Sequence, residues 1–469
     1  MSVHPDPGVE QVVDVALAAA RRLGCDDAVV VVTDEGSTNL RWAANEQTTG
    51  GTTSERSASV AVVRDVAGGR AVGSLTRAVA SRDDVERLVA DAVRELDGAE
   101  AAEDGAALVV GPVHDDFAEA APPVTPEALA GTARTLGELF ARARGEDREL
   151  FGFAEHTVTT TWTATSAGTR HRVVEPYGTV ELNGKSHARS RSAWAGAGAR
   201  DVGAHVDLHA LDAEVRQGLT WQARRVDVAP GRHDVVLPPS ATADLLGYWL
   251  LSAEARAAAE GRSAFSRPGG RTRVGERLTP QPLTVRDDPA HPVLATSDVV
   301  SATSTDEVAS VFDSGLAVPG TRYLDEGVLR ALPSTRHTAA LADVPVAPWA
   351  GNVLVDVTGG AGGTTDLLAG LGDGLLLTCL WYVRTVDEQT LLLTGLTRDG
   401  VYVVRGGEVV GATTNFRFND SPAAMLSRVA GAGASQVCLA RELGDWLPRT
   451  AAPALHVRDF HLSSVSEAS

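Results

Sequence analysis

Residues 241–265, ATADLLGYWLLSAEARAAAEGRSAF, set an apolar helix among short strands and glycine-rich turns. The pattern predicts helix over 241–262, closed by the Gly-Arg-Ser-Ala-Phe break. Apart from Asp244, its first half carries no side chain able to activate water or hold a metal. By itself the run reads as a packing helix, so the question is what packs on it.

Upstream, the chain reads as an N-terminal α+β domain of mixed helices and sheet, residues 1–225. Val9, Val12, Val13, Ala16 and Ala20 recur at helical spacing. DDAVVVVTDEGSTNLRWAANEQTTG predicts a buried strand, a turn and a second strand, and a hairpin follows around Asp65–Gly69. SRDDVERLVADAVREL is a helix capped by Ser81 or Asp83, and Pro126 opens another in its first turn. From 150 onward the pattern alternates, with turns expected at Ser166–Gly168 and Asn183–Gly184. RRVDVAPGRHDVVLPPS reads as a further turn-bounded pair. Residues 226–469 are expected to form a β-rich, barrel-like C-terminal domain around the 241–262 helix, with GGAGGTTDLLAGLGDG as a loop. The fold class expected is α+β.

Composition excludes several functions. Asp plus Glu number 61 against 42 Lys plus Arg, a formal charge of −19. Such a surface opposes non-specific nucleic-acid binding. No apolar run approaches the ~20 residues that cross a bilayer. Three cysteines without CxxC spacing fit a reducing compartment. The N-terminus has no secretory pattern, and the protein is expected to be cytoplasmic, with neither nucleic acid nor membrane as partner.

A zinc peptidase site commonly places two histidines one helical turn apart beside a glutamate. The nearest imitation is HVDLH, His205 and His209, where Val206 stands in the glutamate position. The surrounding alternation reads as strand as readily as helix, and on a strand these rings would lie ~13 Å apart. Cys379 and Cys438 sit in apolar runs and read as small buried hydrophobes. There is no GxSxG, no P-loop lysine and no GxGxxG after a strand. Asp313, Asp325 and Glu326 punctuate SVFDSGLAVPGTRYLDEGVLRAL as a turn system or a cleft wall. TTNFRFNDSPAAML is a strand whose polar face carries Asn415, Arg417 and Asn419, suited to a peptide backbone or a subunit contact.

Four segments in order, SASVAVVRDVAGGRAVGSL, GRSAFSRPGGRTRVGERLTPQPLTVRDDP, FDSGLAVPGTRYLDEGVL and NFRFNDSP, resemble the TldD/PmbA (TldD/TldE) peptidase family over essentially the whole chain. In that family the catalytic subunit carries His-Glu-x-x-x-His just before the Ser-Ala-Phe segment. Counted back from Ser263, those positions fall near Leu246, Gly247 and Leu251. No histidine stands between His233 and His291, and the late Gly-x-Cys-Gly ligand is missing too. The resemblance therefore implies a TldE/PmbA-like subunit with no catalytic residue, metal or cofactor of its own. Its expected partner is a zinc-bearing TldD-like subunit in a heterodimer, acting on unstructured peptides or peptide precursors. The other reading is a homodimeric protein of this fold, with binding or non-zinc activity in a specialised peptide or natural-product pathway and His205, His209 or Cys379 as candidates.

Overall fold

The computed structural model describes residues 8–466. It begins with helix α1 (Val9–Arg22), then three antiparallel strands, β1 (Asp27–Ala43), β2 (Glu46–Val66) and β3 (Gly69–Ala78), then α2 (Arg82–Arg94). The expected hairpin forms, with Val66 opposite Gly69. Ser81 caps α2 by accepting the Asp84 N–H. Helix α3 (Ala130–Gly145) starts after a tighter turn opened by Pro126. Strands β4 (Arg148–Thr165), β5 (Arg170–Ser186) and β6 (Arg191–Ala199) complete one six-stranded sheet in the order β3-β2-β1-β4-β5-β6. Alternation along β1 divides its burial: Val30 and Val32 face α1 and α2, while Val29 packs toward Val311 and Phe312 of the C-terminal half.

The turn expected at Asn183–Gly184 is not there. Strand β5 runs through it, and the chain reverses at His187–Ser190. The glycine serves packing instead. A Cβ on Gly184 would sit 2.3 Å from Cγ1 of Val215, on helix α5 (Leu208–Trp221), which follows the short helix α4 (Val202–His205). Gly184→Ala is expected to destabilise the protein by about 1–3 kcal/mol, because a branched Val215 cannot swing its methyl away. A thermal melt checks this, and an unchanged midpoint would show that α5 is not seated this closely on the sheet.

Strand β7 (Gly231–Leu237) leads into α6 (Pro239–Leu251). The helix predicted over 241–262 is broken at Ser252–Glu254 and resumes only as α7 (Ala255–Ala259). From RRVDVAPGRHDVVLPPS only β7 is a strand. Two further sheets flank α6. One has six strands, running from Val328–Leu329 through Arg322–Asp325, Leu283–Arg286, Val353–Val357 and Thr450–Ala452 to Gln436–Cys438. The other has nine and is ordered Leu380–Asp387, Leu392–Thr397, Asn415–Asp420, Leu455–Ser466, β7, Gly374–Leu377, Val401–Arg405 and Glu408–Ala412, with Val429–Ala432 pairing beside Leu455–Ser466.

The barrel-like reading of this half is wrong, because among the described residues no sheet closes on itself. Each edge of the nine-stranded sheet is covered locally instead. At one edge the Glu442 carboxylate accepts the Tyr382 and Val383 N–H groups. At the other, Ala412 N–H donates to Arg224 O and Val226 N–H to Ala412 O. Edges satisfied in this way do not need each other. The glycine-rich segment expected as a loop contains a helix, Thr364–Leu371. Asp366 accepts the Gly363 N–H at its start, and Leu368 and Leu371 are buried.

Candidate functional site

Helix α6 has no polar face. Ten of its thirteen residues are buried, among them Leu246 and Gly247, while Leu251 is half-buried. A helix apolar all round belongs inside a core, and α6 packs against Val353–Val357, Gln436–Cys438, Thr450–Ala452 and β7. Trp249 meets Phe265 of the Ser-Ala-Phe landmark edge-on, ring centroids 5.1 Å apart.

The space beside Gly247 is occupied. A Cβ there would lie 2.6 Å from Leu443 Cδ1 and 2.8 Å from Leu447 Cδ1, both buried leucines of the 441–447 turn. Asp244 holds that turn in place. Its Oδ1 accepts the N–H groups of Glu442 (2.9 Å) and Leu443 (3.1 Å). Burial pushes the Asp244 carboxyl well above the usual carboxylate range, against the pull of these two amides. Leucine and glycine offer no donor for zinc, and the two carboxylates nearby, Asp244 through its Oδ1 and Glu442 through both oxygens, accept backbone N–H groups. The residues present at this position do not fit a zinc ion. Among the described residues no group of three or more His, Cys, Asp or Glu side chains is placed to hold a metal.

The other candidate residues do not converge. Asp313 is buried and bonds Arg336 twice, through its backbone N–H (2.9 Å) and its Nε (2.5 Å). Arg336 in turn reaches Ala107 O, so this pair ties the two halves together. Asp325 accepts from Arg322 at 2.8 Å, and Glu326 occupies the left-handed corner of the same hairpin. Asn415, Arg417 and Asn419 share one face of a strand in the other sheet, where Arg417 is exposed. His205 ends α4, and His209 lies in the first turn of α5, 3.6 Å from Glu138. Both rings are exposed on helices, not on a strand.

Cys379 is buried at a corner between strands, and burial pushes its thiol up to about 12, more than the adjacent Arg441 lowers it. A thiol so rarely ionised is a poor nucleophile. Arg441 donates to Cys379 Sγ (2.8 Å) and Asp399 Oδ2 (2.6 Å), and lies between the rings of Trp194 and Trp381. Ser192 of β6 donates to the other Asp399 oxygen. Burial raises the Asp399 carboxyl, but Arg441 and Ser192 outweigh it and leave the group below the usual range. This cluster is a joint between the first sheet and the C-terminal half. Sequence reading passed over Asp399, Arg441, Leu443 and Leu447, and the only local signal was a lone acid, Asp244, inside an apolar helix.

Residues 230–464 match the family model described as the PmbA/TldA metallopeptidase C-terminal domain, half of the chain. The chain belongs to this family. No curated protein matches it in sequence. Among solved structures it is similar to TldE from Thermococcus kodakarensis, with TM-score 0.77, 14% identity, and 96% of this chain and 99% of that one covered. It is also similar to two putative modulators of DNA gyrase. The one from Thermotoga maritima has TM-score 0.73 at 15% identity, with 96% and 99% of the two chains covered. The one from Bacteroides thetaiotaomicron has 0.72 at 14%, with 96% and 98% covered. At such identities these likenesses speak for the PmbA/TldD fold alone. Among the described residues no helix is long and apolar enough to cross a membrane.

Proposed function

We propose that this chain is the TldE/PmbA-like, non-catalytic subunit of a heterodimeric zinc peptidase in the cytoplasm, whose TldD-like partner holds the zinc and cleaves unstructured peptides. One observation carries the reading: the helix where the resemblance expects ligands and base presents Leu246 and Gly247 to a core filled by Leu443 and Leu447. The fold shared with the Thermococcus protein named TldE supports it. In this reading the chain contributes surface, with Asn415, Arg417 and Asn419 on a polar strand face available to an extended peptide or to the partner. Water activation belongs to the other subunit.

The test is co-purification with a chain carrying His-Glu-x-x-x-His, followed by digestion of an unstructured peptide with each subunit alone and with both. Cleavage is expected only when the partner is present, and zinc in this chain alone is expected to be far below stoichiometric. Chelator-sensitive cleavage by this chain alone would refute the assignment, as would one tightly held zinc per chain.

A further inference from the structure

Where β5 turns into β6, the first sheet meets the open end of the nine-stranded sheet across a cleft of about 340 Å³. Its walls hold six basic side chains: Lys185, Arg189, Arg191, Arg224, Arg225 and Arg398. Among the described residues that line it, Asp399 is the only carboxylate, and Arg441 and Ser192 already occupy it. In a chain whose acids outnumber its bases by 61 to 42, this local excess is unlike the rest of the composition.

The cations are placed, not merely exposed. Arg224 and Arg225 follow the C-terminal end of α5, whose partial negative charge favours them there. Their backbone is pinned to the edge strand through Arg224 O and the Val226 N–H. Lys185 Nζ and the Arg189 guanidinium both lie against the Phe151 ring, at 5.6 and 5.4 Å. Arg189 is also paired with Glu149 at 2.6 Å. Among the described residues, Arg191, Arg224 and Arg225 have no carboxylate within ion-pair distance, and their guanidinium groups form no hydrogen bond.

We propose that this cleft binds an acidic peptide segment, its guanidinium groups taking side-chain carboxylates of the ligand. Arginine forks match carboxylates in pairs. The cations come from three separated stretches of chain, which suits several spaced carboxylates better than one compact phosphate. A phosphate cradle typically adds convergent backbone amides at a helix N-terminus, whereas the helix end at this cleft is a C-terminus. The acidic surface elsewhere repels such a peptide and leaves this cleft as its point of attraction. The peptide character of the ligand rests on the functional reading above; the attraction for anions does not.

Lys185 is the only lysine in the sequence, so amine labelling reports on the cleft directly. The experiment titrates full-length protein, without any partner, into fluorescein-labelled hexaglutamate at low salt and follows anisotropy. In parallel, mass spectrometry measures acylation of Lys185 with and without unlabelled hexaglutamate. Saturable binding is expected, with slower acylation of Lys185. The exposed double variant Arg224→Ala/Arg225→Ala is expected to bind about tenfold more weakly. Raising salt from about 50 to 500 mM should abolish binding in both proteins. Absence of binding overturns the proposal, as does binding that leaves Lys185 unprotected or is indifferent to the double variant. Displacement of hexaglutamate by an equal charge of pyrophosphate but not of free peptide marks a phosphate site and overturns it as well. Since neither partner nor peptidase assay is involved, failure here leaves the subunit assignment standing, and failure of that assignment leaves this result standing.

Discussion

Rebuilding the zinc motif in place, by Leu246→His, Gly247→Glu and Leu251→His, is expected to yield an unstable protein that binds no stoichiometric zinc. Gly247→Glu alone should cost about 4 kcal/mol or more, because it overpacks a filled core and buries an unpaired carboxylate. The comparison with Gly247→Ala isolates the cause. There the new Cβ meets only the ends of Leu443 and Leu447, which can rotate, and Ala gains up to ~1 kcal/mol of helix propensity over Gly. That variant should fall within about 1 kcal/mol of the parent. Urea unfolding and metal analysis of the three proteins decide the matter. A triple variant that folds normally and holds one zinc would mean the site lacks only its ligands; the packing says it also lacks the room.

The second large effect belongs to Asp244. Asp244→Ala removes the acceptor for the Glu442 and Leu443 N–H groups and is expected to cost about 2–6 kcal/mol, at roughly 1–3 kcal/mol per orphaned donor. Asp244→Asn keeps an acceptor oxygen and has no proton to lose, so the pair separates hydrogen bonding from ionisation. The sign follows from the raised folded-state value. The folded carboxyl holds its proton more tightly than the unfolded one, so its favourable contribution is complete below the unfolded value of about 3.9 and is lost as pH rises through the folded one. Asp244→Asn should therefore gain on the parent as pH increases from about 4 to 8. Glu442 and Arg441 face the same carboxyl and are present in both proteins, so the difference between the two isolates Asp244. A difference that does not change with pH would show that the carboxyl is already ionised in the fold.

What the residues disclosed in advance was local. Helix α1, the Val66–Gly69 hairpin and the Ser81 cap depend on spacing and short-range hydrogen bonds, and all form as expected. So does the strand Asn415–Asp420. The errors share a different origin. Gly184 looks like a turn residue until Val215, some thirty positions on, is packed above it. The barrel expectation failed because what covers the sheet edges, Glu442 and Arg224–Val226, lies far in sequence from the strands concerned. The candidate site divides along the same line. The absence of histidine and glutamate from α6 is visible in its own residues, whereas the leucines packed beside Gly247 arrive about two hundred residues later, in a segment without a motif. The basic cleft was hidden for the same reason, its cations coming from three separated stretches of chain.

The strand Leu455–Ser466 lies near the middle of the nine-stranded sheet, between β7 and Asn415–Asp420. Strand β7 therefore waits for a neighbour more than two hundred residues downstream before its hydrogen-bond ladder is complete on that side. This is a pairing of high contact order, and its loop must close before any of its bonds form. The C-terminal half cannot zip up strand by strand as synthesis proceeds. Until residues 455–466 are in place, α6 has only part of the sheet that buries it, and its apolar surface is open to aggregation. Helix α6, buried over most of its length in the finished molecule, thus depends for part of its cover on a strand made more than two hundred residues after it.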